Sequence, residues 1–333
     1  MKSVEFTNWL NVFLMAVSLY LAMVMPFELF LLAYAVLGPL HYLTEISWLH
    51  DRKYFLKEKR EAWFFVLMAV IVLISGVSAF FGLFREVGVV LASIIPGLLF
   101  AGVIFAVGAL VLEKFWQKAA IFLGAFWLVV LTGWQTDPGF KALFATLLPT
   151  MIHVFVFTGA FILLGSFKSR SLSGIISLIT FVVCAVLAIV LPVGILSGPS
   201  QFVAQNYNMY FGINQILGEL LGFGKITALN EIFNSPSAWA VMRLIAFAYT
   251  YHYLNWFSKT TVIKWQKISS ARWIGIFCAW VISVALYLAD YRLGFISLYL
   301  LSMLHVFLEF PLNALTFVEI GKFIFSRNST SRN

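Results

Sequence analysis

Apolar stretches longer than the roughly 20 residues needed to cross a bilayer recur along the whole of this chain of 333 residues. That recurrence leaves few folds open. Backbone N–H and C=O groups find no water in the hydrocarbon layer, so only helices and closed barrels span it. A barrel is written as short segments of alternating hydrophobicity, whereas these runs are continuous. The chain therefore reads as all-α, a polytopic helical bundle. Its 62% hydrophobic and 11% charged residues agree, since soluble domains carry about 25% charged residues.

About ten spans are expected, at 9–25, 27–49, 63–84, 87–112, 117–135, 142–166, 173–196, 236–258, 272–290 and 293–318, forming a single membrane domain over 1–333. With both termini cytoplasmic, the inside loops hold seventeen of the twenty-two Lys and Arg residues, the outside loops hold four, and Arg243 lies within a span. This asymmetry is the positive-inside pattern, so the net charge of +8 needs no nucleic acid to explain it. The expected location is the cell (inner) membrane, crossed many times. The first apolar run leads straight into a second, so no cleavable signal peptide is expected. Cys184 and Cys278 fall in apolar segments and suggest no disulfide framework. The sequon at Asn328-Ser329-Thr330 lies in a tail placed in the cytoplasm and reads as chance. Residues 197–235 are rich in Gly and Asn, with an apolar face at Ile213, Ile216, Leu217, Leu220 and Leu221. They are expected to lie on the outer membrane surface, either as packing over the outer mouth or as an entrance for a lipid.

The chemistry concentrates in histidine. Of five in the chain, His41, His153, His252 and His305 each fall inside their own span, and His50 falls at a boundary beside Asp51. Ionisable side chains at such depth are costly and mark sites. The four spans run in the same direction, and counting back at about 1.5 Å per residue puts the four imidazoles roughly 10 to 20 Å deep. At matched depth on separate helices they can converge on one metal, and imidazole suits iron, zinc, copper or nickel. Each could equally be a satisfied helix-contact residue.

Two carboxylates share the faces of these ligands. Glu45 follows His41 by four residues and Glu309 follows His305 by four, one helical turn in each case. They can orient the imidazoles or become ligands, although Glu45 can also reach toward Arg52 or Lys53. Tyr249, Tyr251 and Tyr253 flank His252. Glu45, Glu309 and Tyr251 are the candidate catalytic side chains. A hydrolytic zinc site normally has three protein ligands and an activated water. Four neutral histidines without a thiolate instead keep a divalent iron cationic and can leave a position for dioxygen.

Four segments resemble, in order, motifs of the bacterial and archaeal membrane-bound β-carotene-cleaving dioxygenases, the Brp/Blh family. They are Gly38-Pro39-Leu40-His41, the helix around His153, Tyr251-His252-Tyr253 with Trp256, and Leu304-His305-Val306 with Glu309. His153 matches by order and depth alone. The chain departs from the pattern at Tyr42-Leu43, where small residues are usual, and in lacking a second histidine soon after His252. The resemblance covers most of the chain and implies a non-haem Fe2+ held by histidines, with dioxygen and a carotenoid or other apolar lipid as partners and retinal as product. Two other classes stay open: an intramembrane zinc (Zn2+) hydrolase of a lipid, which His50-Asp51 would join, and a transporter or assembly protein whose histidines are structural.

Overall fold

The computed structural model describes residues 2–192 and 198–330. Arg332, the end of the expected seventh span and the first residue of the outer segment lie outside the described residues. No strand occurs among those described. Among the described residues nine helices are long and apolar enough to cross a membrane, the make-up of a multi-pass membrane protein. In chain order they are α1 (Val4–Val24), α2 (Pro26–Asp51), α3 (Lys59–Phe81), α4 (Arg85–Val111), α5 (Phe115–Thr132), α6 (Pro138–Ser169), α7 (Leu172–Val190), and, after a further stretch, Ser270–Ala289 and Tyr291–Phe325.

That stretch holds the short helices α8 (Gln201–Asn206), α9 (Phe211–Leu220) and α10 (Leu229–Asn234), and then α11 (Pro236–Ser258). The two later helices are α12 (Ser270–Ala289) and α13 (Tyr291–Phe325). The expected span 236–258 is α11, whose 23 residues extend about 35 Å, long enough to cross. It falls short only in apolarity, because it carries Arg243, Thr250, His252, Asn255 and several tyrosines. A helix whose neighbours screen it from lipid has no need of an apolar outer face, and nearly every residue from Ala238 to Trp256 is buried.

The chain gathers into two compact units. The first comprises Met1–His41 and Thr150–Arg292. Here α11 packs against α1, α7, the first half of α2, α9 and α10. Polar side chains tie α1 to α11: Asn11 Nδ2 donates to Ser258 Oγ at 3.0 Å, and Tyr251 Oη donates to Asn11 Oδ1 at 3.0 Å. Hydrogen bonds of this kind hold helices together where lipid removes the hydrophobic drive. Phe27 stands edge-on to Tyr207, Phe233 and Trp239, which seats the short helices beside α2. The apolar face expected in the outer segment divides: Ile213 and Leu217 are buried, while Leu220 and Leu221 are exposed together with Phe202 and Phe223. Cys184 is buried, Cys278 is exposed, and both are free thiols.

The second unit comprises Tyr42–Pro149 and Leu293–Asn333. Its α3, α4 and α5 pack in sequence, with the rings of Phe64, Phe105 and Phe122 meeting between them at tilted and edge-on angles. A Cβ on Gly88 would come 2.5 Å from Ser78 Cβ, so glycine is what lets α4 approach α3 this closely. Lys118 Nζ and Glu61 Oε1 form an ion pair of 2.5 Å with side chains only 0% and 2% exposed.

Candidate metal centre

Proline shapes the approach to two of the histidines. Pro39 has no N–H to offer an α-helical turn, and the turn before it, Ala33–Leu37, is π-wound, with Gly38 N–H donating to the Ala33 carbonyl five residues back. His41 follows within the next turn. The stretch Ala142–Phe157 winds as a π-helix around Pro149 and carries His153. Such widened turns are rare and are found frequently at functional sites. Gly38 also permits a close approach, since a Cβ there would meet Tyr253 Oη at 3.3 Å.

Three of the expected ligands, His41, His153 and His252, are buried in the first unit, and the fourth, His305, is buried in the second. Within the first unit His252 stands beside the other two. Its Nε2 is 3.1 Å from His41 Nε2, and its ring centroid is 4.9 Å from that of His153. The other nitrogen of the same ring, Nδ1, is 2.9 Å from Thr158 Oγ1. Which ring nitrogen of His252 carries a proton is therefore tied to a hydroxyl on α6. Around His41 lie the rings of Tyr253 at 5.2 Å and Trp256 at 5.5 Å.

The second unit, by itself, holds a carboxyl pair. Glu45 and Glu309 are both buried, and their side chains hydrogen-bond to each other, an arrangement that requires one shared proton. Asn313 Nδ2 donates to Glu309 Oε2 at 3.3 Å. The Tyr42 ring lies 5.7 Å from the ring of His305, one turn before Glu309.

Two expected residues point elsewhere. Tyr251 turns its hydroxyl to Asn11 on α1 and stacks on Phe247. Successive residues of a helix stand about 100° apart, so Tyr251 and His252 serve different faces. Tyr253 is the tyrosine that lies against His41. His50 sits exposed in the last turn of α2, with Nδ1 2.9 Å from Tyr54 Oη and Nε2 3.2 Å from Lys59 Nζ. Tyr54 and its neighbours Lys53 and Phe55 adopt left-handed backbone, and partial burial pushes the Tyr54 phenol up.

Thr158 was not among the residues singled out in the sequence. It lies five residues after His153, the repeat of a π-wound turn, and its partner is 94 residues away. Only the π-winding brings it onto the histidine-bearing face. No family model matches the chain, and neither a curated protein nor a solved structure is similar to it.

Proposed function

We propose that the protein is a membrane-embedded, iron-dependent oxygenase of an apolar lipid, with β-carotene cleavage to retinal as the activity that the resemblance implies. One observation carries this reading: within the first unit the buried His252 has its Nε2 3.1 Å from His41 Nε2 and its ring 4.9 Å from that of His153, in a chain rich in apolar helices. The donor set fits a divalent iron, because it is all imidazole and buried. His305 is the fourth ligand in this proposal, and the contact of His252 with Thr158 is the outer hydrogen bond that metal-bound histidines usually make.

Bound there, iron supplies the activation of dioxygen. The chain supplies the rest. Thr158 accepts the Nδ1 proton of His252 and so turns the Nε2 lone pair inward. Glu45 and Glu309 hold one proton between them, one turn from His41 and His305, and steady those rings. Tyr253 and Trp256 offer aromatic faces beside His41 along which a polyene can lie. An apolar substrate reaches such a site from the bilayer without crossing water. In this proposal the protein lies in the cell (inner) membrane with both termini cytoplasmic, a topology that the positive-inside charge pattern supports.

The carboxyl pair supports a second reading, a zinc hydrolase acting on a lipid, since hydrolytic zinc sites often use a carboxylate as base. Elemental analysis of the detergent-purified protein, followed by oxygen uptake with β-carotene, separates the two. Iron near one per chain with retinal formation supports the oxygenase. Zinc at that stoichiometry without oxygen uptake supports the hydrolase. A wild-type protein that retains no metal after gentle purification removes both.

A further inference from the structure

We infer that Arg243 anchors an oxyanion site near the Pro236 end of α11, one that takes the headgroup phosphate of a phospholipid. A guanidinium stays protonated in proteins, and this one is 2% exposed. Isolated buried charges are costly unless paired. Yet all fourteen Asp and Glu residues of the chain fall among the described residues, and Arg243 makes no ion pair with any of them. Its Nη1 donates to the carbonyls of Leu191 and Pro192 at 3.2 and 3.3 Å, just past the end of α7. Those carbonyls are neutral, and the helix end adds roughly half a negative charge. The balance is incomplete.

The geometry says which ligand fits. With Nη1 committed to the carbonyls, the edge formed by Nε and Nη2 remains, and Nε is buried with no hydrogen-bond partner. That edge is the one through which arginine takes carboxylate or phosphate side-on, with two parallel hydrogen bonds. Arg243 lies seven residues beyond Pro236, about 10 Å along the axis. Side chains on a helix lean toward its N-terminus, so the guanidinium meets the chain where α7 ends, at Leu191 and Pro192, the boundary level toward which arginines snorkel. Nine residues separate Arg243 from His252, about 13 Å and an odd half-turn. The two therefore face opposite sides of α11, and this site does not rest on the metal.

The test is thermal unfolding of the whole protein in phosphate-free detergent, with short-chain phosphatidylglycerol, the matching neutral diacylglycerol, or inorganic phosphate. A ligand that binds only the folded state raises the midpoint. Phosphatidylglycerol is expected to raise it and diacylglycerol to leave it unchanged. The rise should vanish in Arg243→Met and shrink in Arg243→Lys, whose ammonium lacks the side-on edge. Without ligand, Arg243→Met should unfold at or above the wild-type midpoint, because it removes an uncompensated charge; a purely capping role predicts a lower one. A rise with both phosphatidylglycerol and phosphate still supports the site. A rise with inorganic phosphate alone overturns the lipid assignment. No rise with any probe, or an equal rise in wild type and Arg243→Met, overturns the site itself.

Discussion

His252 Nε2 lies 3.1 Å from His41 Nε2, so one proton or one cation must stand between two lone pairs. The hydroxyl of Thr158, 2.9 Å from His252 Nδ1, decides which. If it accepts the Nδ1 proton, Nε2 is bare and both rings can face a metal. Thr158→Val keeps the shape and removes that acceptor. It should weaken metal affinity about 10- to 100-fold, the usual cost of losing such an outer partner. Competition with a chelator reads this directly, and unchanged affinity in the variant would remove Thr158 from the site.

Replacing His153 or His305 with Ala should abolish metal retention while leaving membrane insertion intact. His50→Ala should leave the metal in place, because its ring nitrogens are engaged by Tyr54 and Lys59 in an exposed turn. Metal content per chain, measured on the three purified variants side by side, checks both halves. Loss of metal in His50→Ala alone would reassign the ligands.

The Lys118–Glu61 pair, with side chains 0% and 2% exposed, makes a separate prediction about stability. Removing one partner leaves an unpaired buried charge, at a cost of about 3–5 kcal/mol. Lys118→Met should therefore lower the unfolding midpoint sharply. The double variant Lys118→Met/Glu61→Leu should recover most of the loss, since a buried pair replaced by apolar groups is often neutral. A double variant as unstable as the single one would show that the pair itself is stabilising.

Glu231, before α11, accepts from Thr227 N at 2.9 Å and Thr227 Oγ1 at 2.8 Å. These hydrogen bonds hold its carboxyl below the usual carboxylate range. A carboxylate lowered in the folded state stabilises above its unfolded value, and the contribution is lost as pH falls through the folded one. Glu231→Gln should thus unfold slightly earlier than wild type at neutral pH, with the gap closing in acid. Unfolding midpoints measured across that range check the sign.

Much of the architecture was legible in the residues. Nine of the ten expected spans appear as helices apolar enough to cross, because a helix facing lipid must be apolar over a length set by the bilayer. The tenth, α11, escapes that rule because its neighbours cover it. The π-winding around Pro39 and Pro149 was only half visible: a proline announces a break, but which hydrogen bonds replace the lost one depends on what packs against it.

The candidate site divides along the same line. Composition and spacing mark His41, His153, His252 and His305 as intramembrane, and put Glu45 and Glu309 one turn after two of them, since periodicity is a local property of the chain. That Glu45 meets Glu309, that Thr158 meets His252, and that Tyr253 rather than Tyr251 lies against His41 are contacts across many residues. They follow from the rotation of each helix about its axis, which is set by the packing of whole faces and leaves no mark at any one position.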